Sequence, residues 1–410
     1  MSGKIYLLGG HQTDFATNWL RQDREIFDVF RDTLNQGLNN CGLDYDDLDC
    51  GHVGNFNGEL FNHQGIMGGY FGMVDTKLSG LPTGRHEAAC ASGSIALLAA
   101  TAELEAGRYG LACVMGIEQM RNVSGAEAAA HLGSATWFGH ECQNVKYPWP
   151  HMFGKLGDEY DKRYGLKHEH LAGIAKINFA NGRRNPNAQT RGWQFSDNSF
   201  TEDDDLNPVI DGRIRKQDCG QVTDGAAVLF LATEERACAY ADRRGISVST
   251  IPYIEGWGHR SAPLALDQKM AESAGADYVF PHIRGTITDA YQRAGLTDVS
   301  AIDVIETHDC FTTTEYMAID HFGITAPGES WKAIEDGRIA MDGEIPINPS
   351  GGLIGCGHPV GATGVRMLLD ACKQVSDTAG NYQVAGARRV QTLNIGGSGT
   401  TSVSFIVSKD

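Results

Sequence analysis

CGLDYDDLDCGHVGNF at residues 41–56 returns as AGLTDVSAIDVIETHDCF at residues 294–311, and this recurrence decides the fold. Each copy reads as a helix end, a Gly-Leu turn, an acidic loop and a strand running into a polar tip, with Gly42 answering Gly295 and Asp49 answering Asp303. Each copy then continues to a Gly-rich turn that opens a helix, ACASGSIALL at Ala89–Leu98 and GHPVGATGVRMLL at Gly357–Leu369, and on to two apolar strands. In the second copy those strands, VQTLNI and TSVSFIV, are separated by a Gly-Gly-Ser-Gly turn. In the first, the matching Leu111–Glu118 and Ala226–Ala232 are separated by residues 119–225.

Short apolar runs at Ile5–Leu8, Leu111–Met115, Val228–Leu231, Val304–Glu306, Val390–Leu393 and Val403–Val407 predict buried strands. Helical spacing at Ile26–Leu38, Ser94–Glu105, Ile283–Ala294 and Val365–Val375 alternates with them, so the fold class is α/β. The expected organisation is an N-terminal half of residues 1–118 plus 226–250, an inserted domain at 119–225 and a C-terminal half at 251–410. The insertion, with a helix pair expected around Gly154–Tyr164 and Glu169–Asn181, reads as a lid over a rigid scaffold.

The chain has 410 residues and a formal net charge of −17, an acidic surface that argues against nucleic-acid partners. No apolar run approaches the roughly 18 residues of a membrane span, and Met1–Gly10 lacks the pattern of a secretory signal, so the expected location is cytoplasmic. Ten cysteines without a C-x-x-C pair read as reduced thiols. His131, His140, Cys142 and His151 fit no standard zinc spacing, and no metal is expected. Neither a phosphate-binding G-x-x-x-x-G-K-[ST] loop nor a dinucleotide fingerprint follows the first strand.

Four segments carry candidate chemistry. Cys90, in EAACASGSIALLAA, sits where a strand meets a helix, and the helix N-terminus is expected to lower its thiol pKa; the competing reading is a buried structural cysteine. NPSGGLIGCGHPVGATG, Asn348–Gly364, is a glycine-walled loop presenting His358. ETHDCFT, Glu306–Thr312, ends a strand where α/β sheets place ligands. There His308 can donate a hydrogen bond, Cys310 can move a proton, and Asp309 reads as an orienter or helix cap. LNIGGSGTT, Leu393–Thr401, offers N–H groups for an oxyanion hole or is an ordinary hairpin turn.

Taken together and in this order, the four segments resemble the thiolase superfamily over essentially the whole chain. The C-x-S motif is Cys90-Ala91-Ser92, the G-H-P motif is Gly357-His358-Pro359, and His308–Phe311 (H-D-C-F) is similar to the sterol-carrier-protein type. The resemblance implies two pseudo-symmetric halves in a layered α-β-α-β-α core and acyl transfer by Claisen chemistry on 3-oxoacyl-CoA, in lipid metabolism. It implies Cys90 as nucleophile and His358 as its activator. It also implies that the N–H groups of Cys90 and Gly396 hold the acyl-enzyme oxyanion, and that His358 and His308 stabilise an enolate.

One departure stands out: where thiolases carry a second cysteine in a C-x-G motif, this chain has Asn394-Ile395-Gly396, and an amide does not titrate. Cys310 is the first candidate to replace it and Cys356 the second. Met152 falls where thiolases line the acyl pocket. Arg183, Arg184, Arg213, Arg215 and Lys216 are candidate partners for the CoA phosphates. CoA and acyl-CoA are expected as substrates with no permanently bound cofactor, in a homodimer or homotetramer, with any accessory protein a separate chain. The rival readings are a ketoacyl-synthase-like enzyme with a non-CoA acceptor and a non-catalytic acyl-CoA-binding subunit.

Overall fold

The computed structural model describes residues 3–410. Its strands are β1 (Ile5–Gln12), β2 (Cys50–Gly54), β3 (Thr83–His86), β4 (Leu111–Glu118), β5 (Val209–Asp211), β6 (Ile214–Arg215), β7 (Gly225–Thr233), β8 (Tyr253–Ser261), β9 (Val304–Thr307), β10 (Arg389–Gly396) and β11 (Thr401–Ser408). Nine form one mixed sheet in the order β3-β2-β4-β7-β1-β8-β11-β10-β9, and β5 pairs with β6 in a small ribbon. The order β3-β2-β4-β7-β1 is repeated in reverse by β8-β11-β10-β9, and the β1–β8 seam is only two residue pairs long. Isolated pairing of Ile347 with Ile305 stands where β3 stands in the first half.

The duplication reaches individual hydrogen bonds. Gly42 and Gly295 both adopt left-handed backbone, φ 64° and 70°, at the ends of the helices Ile26–Cys41 and Pro281–Arg293. The following residue closes the same six-residue turn in each copy, the Leu43 N–H donating to the Leu38 carbonyl and the Leu296 N–H to the Tyr291 carbonyl. The Asp49 carboxylate accepts from the N–H groups of Gly110 and Leu111 where β4 begins, and Asp303 accepts from those of Arg388 and Arg389 where β10 begins. A short acidic side chain thus fixes strand register identically in both halves.

Apolar side chains sort the elements into layers. One face of the first half packs on the helices Ile26–Cys41 and Glu234–Arg244, and one face of the second on Pro281–Arg293 and Thr312–Phe322. Between the halves lie the helices Ser92–Glu105 and Thr363–Val375, which pack on strands of both. Their N-terminal ends touch: a Cβ on Gly93 would stand 2.7 Å from the Gly361 carbonyl oxygen, and one on Gly364 would overlap Ser94. Glycine is therefore required where the two halves bring their Gly-rich turns together.

Residues 119–225 hold the helices Gly125–Leu132, Pro148–Tyr164 and His168–Gly182 and the β5–β6 ribbon. The second of these starts at Pro148, earlier than apolar spacing suggests, because proline is well tolerated in a first helical turn. Among the described residues no helix is long and apolar enough to cross a membrane.

Candidate active site

Cys90 lies in a single 3-10 turn, Ala89–Ala91, that runs into the helix Ser92–Glu105. Ala89 has φ 48°, a left-handed conformation uncommon for a residue with a Cβ. Ser92 holds that turn: its hydroxyl donates to the Ala89 carbonyl at 2.6 Å and accepts from the Ala88 N–H at 2.9 Å. The serine of the C-x-S motif therefore shapes the backbone that presents the thiol.

His358 follows the Gly352–Cys356 turn, and its N–H donates to Thr223 Oγ1 at 2.9 Å. Its ring Nδ1 lies 2.7 Å from Thr363 Oγ1. The Thr363 hydroxyl donates to the Pro359 carbonyl at 3.0 Å, so its oxygen is left to accept the Nδ1 proton. His358 consequently keeps an unprotonated Nε2, buried and without a protein partner. His308 has the opposite polarity. Asn394 Oδ1 accepts from the Ser94 hydroxyl at 2.8 Å, which turns Asn394 Nδ2 toward His308 Nδ1 at 3.1 Å as a donor. The His308 proton then resides on Nε2, which is also buried without a partner. Desolvation holds His308 well below the usual imidazole range and His358 down to about 3, so both rings are neutral.

Cys90 Sγ and a ring nitrogen from each histidine lie within 4.8 Å of one another, and the two rings are perpendicular with centroids 5.3 Å apart. One nucleophile, one imidazole acceptor and one imidazole donor thus converge on a single point.

Two buried carboxylates hold the loops in place. Asp309 accepts from the N–H groups of Leu353 and Ile354 and from Asn178 Nδ2, tying the H-D-C-F segment to the turn before His358. A Cβ on Gly352 would overlap this carboxylate. Glu118 accepts from the N–H groups of Phe56, Asn57 and Gly361 and from Asn55 Nδ2, joining the end of β4 to the loop after His358. Burial pushes both carboxyls up to about 7.

Cys90, Cys310 and His358 line a cavity of about 90 Å³ whose walls are Met120, Leu132, Trp149, Phe153, Phe311 and Val360. It shares Leu132, Trp149, Gly220–Val222 and Phe311 with an adjoining cleft of about 390 Å³ whose lining includes Lys216. A larger cleft of about 910 Å³ around Tyr45, Arg108 and Glu234 has no histidine or thiol in its lining, so size alone does not locate chemistry.

The structure separates the other residues singled out in the sequence. Cys356 does not line the cavity; it is packed between Phe15 and Ala188, with Gln12 and Asn185 at its sulfur. Met152 is buried in the main core, and its helix neighbours Trp149 and Phe153 face the cavity instead. Gly396 lets β10 approach the nucleophile turn, since a Cβ there would stand 2.2 Å from the Ala88 carbonyl oxygen. The backbone N–H groups that act to lower the Cys90 thiol are those of Gly397 and of Cys90 itself. Arg213 is engaged by Asp158 and Asp161, and Arg215 by Asp204. Arg183 sits over Phe195 beside a different cleft, and Arg184 is exposed on the same helix end. Among the five only Lys216 borders the cleft that leads to Cys90. Thr223 and Glu118 had no signal in the sequence, while Thr363 and Gly397 lie inside two of the four candidate segments without an individual role.

One electrostatic expectation is reversed. Desolvation pushes the Cys90 thiol up to about 12, outweighing the two backbone N–H groups, and nearby Glu118 adds to the rise. The resting pair is neutral thiol and neutral imidazole. Alkylation of Cys90 by iodoacetamide should therefore accelerate about tenfold per pH unit between about pH 6 and 9, because the thiolate fraction grows by that factor below the thiol pKa. A rate that levels off near neutrality would show a preformed thiolate.

Residues 266–409 match the family model "Thiolase C-terminal domain-like". An acetyl-CoA acetyltransferase of Methanothermobacter thermautotrophicus is 31% identical over 414 residues, covering 99% of each chain. Human sterol carrier protein 2 is 27% identical, over 98% of this chain and 71% of that protein. Among solved structures, human mitochondrial 3-ketoacyl-CoA thiolase superposes with a TM-score of 0.73 at 14% identity, covering 99% of both chains. A structure titled "Ltp2-ChsH2(DUF35) aldolase" superposes with a TM-score of 0.76 at 19% identity, covering 100% of this chain and 98% of that one.

Proposed function

The chain belongs to the thiolase family and is a thiolase-like acyltransferase, and from that premise we propose that it makes or breaks the C2–C3 bond of a short 3-oxoacyl-CoA through an acyl group carried on Cys90. The observation that carries this reading is the meeting of the Cys90 sulfur with two neutral imidazoles of opposite polarity.

In the cleavage direction, the Cys90 proton passes to His358 Nε2 as sulfur attacks the 3-oxo carbon. The carbonyl oxygen gathers negative charge within reach of backbone N–H groups in the nucleophile turn. The C2–C3 bond breaks, its electron pair forms an enolate, and His308 Nε2–H donates to the enolate oxygen. The enolate carbon takes its proton from Cys310, whose thiol burial keeps protonated at rest and which borders the same cavity. CoA then attacks the thioester on Cys90, its thiol proton restoring Cys310, while His358 returns its proton to the departing Cys90 sulfur. Condensation is the reverse. Cys310 supplies the second thiol that the Asn394 turn lacks, which favours this chemistry over a condensing enzyme built on one cysteine and two histidines.

The 90 Å³ cavity walled by Trp149, Phe153 and Phe311 suits an acyl group of few carbons. Lys216, exposed in the lining of the adjoining cleft, is the residue we assign to a CoA phosphate. With acetoacetyl-CoA and CoA as substrates, loss of the 3-oxoacyl thioester tests the function; absence of cleavage together with acylation of Cys90 would move the reading to a transferase with another acceptor. In the same assay Lys216→Ala is expected to raise the CoA KM about tenfold at unchanged kcat, the signature of lost uniform binding.

The outer edge of β3, with exposed Ile66 and Met73 close by, supports a surface for a second copy of the chain. We place the protein in the cytoplasm, consistent with its lack of a membrane-crossing helix among the described residues.

A further inference from the structure

Away from the reacting groups, β2 directs Cys50 and His52 to the same face of the sheet, toward the C-terminal turn of the helix Ser92–Glu105. Glu103 on that turn completes a cluster: its carboxylate lies 3.2 Å from His52 Nε2, and Cys50 Sγ lies 3.7 Å from the same nitrogen. One ligand atom from each residue falls within 4.8 Å of the others. Cys50 and His52 are buried, whereas the Glu103 side chain is 30% exposed and gives access from solvent. Glu103 is three turns along the helix from its first residue, roughly 17 Å from the site at its N-terminus.

We propose that Cys50, His52 and Glu103 bind a divalent transition-metal ion, zinc foremost. Zinc bond lengths and a tetrahedral angle require separations of about 3.6 Å between thiolate sulfur and imidazole nitrogen and about 3.4 Å between nitrogen and carboxylate oxygen. The chain already holds these pairs at 3.7 and 3.2 Å. Sulfur, nitrogen and oxygen donors in one set suit zinc better than magnesium or calcium. A thiolate and a carboxylate also neutralise the ion, which matters in a site where two of three ligands are buried.

His86, on neighbouring β3, supplies the outer partner. Its Nε2 lies 2.9 Å from His52 Nδ1, the contact that fixes the tautomer of a metal-binding histidine. Without metal, His52 Nε2–H donates to Glu103 and His52 Nδ1 accepts from His86. With metal, His52 carries its proton on Nδ1 and donates it to His86 Nε2, while the His86 proton moves from Nε2 to Nδ1. That exchange moves no net proton. The ion displaces one proton to solvent, from the Cys50 thiol, and a water fills the fourth position.

The test is titration of the full-length Cys90→Ala protein with Zn²⁺ under competition from a chromogenic chelator, and with Co²⁺ followed by absorption. Cys90→Ala removes the thiol from the other cysteine-histidine cluster. One ion per chain is expected, with a near-ultraviolet thiolate-to-cobalt charge-transfer band. Adding Cys50→Ser should abolish the band and weaken zinc binding by at least about 100-fold. Adding Glu103→Gln, a surface-accessible change that spares the core, should weaken binding while keeping the band. No stoichiometric binding, or binding and absorption unchanged by both substitutions, overturns the proposal.

Discussion

Replacing His358 by alanine is expected to lower the rate of Cys90 acylation by roughly 10²–10⁴-fold, the usual contribution of a general base. The size follows from the resting proton positions. Burial keeps the Cys90 thiol protonated, and the unprotonated His358 Nε2 is the acceptor that the Thr363 hydrogen bond leaves open. His308 stands in the other role. Its Nε2–H faces the site because Asn394 donates to Nδ1, so it stabilises an oxyanion and has no lone pair to offer the thiol. His308→Ala should therefore leave acylation by acetyl-CoA within about threefold while slowing C–C bond formation, and cleavage of acetoacetyl-CoA, by about 10²–10³-fold. Rapid-quench measurement of the acyl-enzyme, alongside steady-state turnover, separates the two effects. Equal loss of acylation in both variants would contradict the assigned polarities.

The largest expected loss of stability is at Arg366. Its guanidinium is fully buried and reaches Glu306, Asp370 and the Ser350 hydroxyl through Nη1. Removing one partner of a buried ion pair typically costs about 3–5 kcal/mol, because the remaining charge has neither water nor counter-ion. Arg366→Ala leaves Glu306 buried without a counter-ion, while Asp370 keeps Lys373 at 3.0 Å, so a fall of this size in unfolding free energy is expected from urea titration. A double variant, Arg366→Met with Glu306→Gln, should recover much of the loss, since it removes the uncompensated carboxylate and leaves Asp370 paired with Lys373. Glu306 is two residues before His308, and Ser350 belongs to the loop before His358, so Arg366→Ala should also loosen the active site.

The duplicated architecture was legible because its signals are local. A left-handed glycine ends each helix and an aspartate starts each inner strand, and such features survive as residue identities at matching positions. The helix Thr312–Phe322 carried no such signal. It is buried on every side and includes Thr312, Thr313, Thr314, Glu315, Asp320 and His321, so it lacks an apolar stripe of helical period. Within the site, motif order pointed to Cys90, His308, Cys310 and His358, and the fold brings these four together. It could not supply the groups that set their protonation. Thr363 and Asn394 act through side-chain hydrogen bonds whose directions depend on further partners, Pro359 and Ser94. The displacement of Met152 by Phe153 is a matter of about 100° of helix rotation, finer than sequence spacing resolves. Four of the five basic residues proposed for CoA are separated from Lys216 by acidic partners or by position, and both are tertiary facts.

The most direct measurement is the intact mass of the protein after brief exposure to acetyl-CoA or acetoacetyl-CoA. One added acetyl group on the wild-type chain, localised to Cys90, absent from Cys90→Ala and discharged by free CoA, is the expected result. An unmodified wild-type chain, or an equal adduct on Cys90→Ala, contradicts acyl transfer through Cys90.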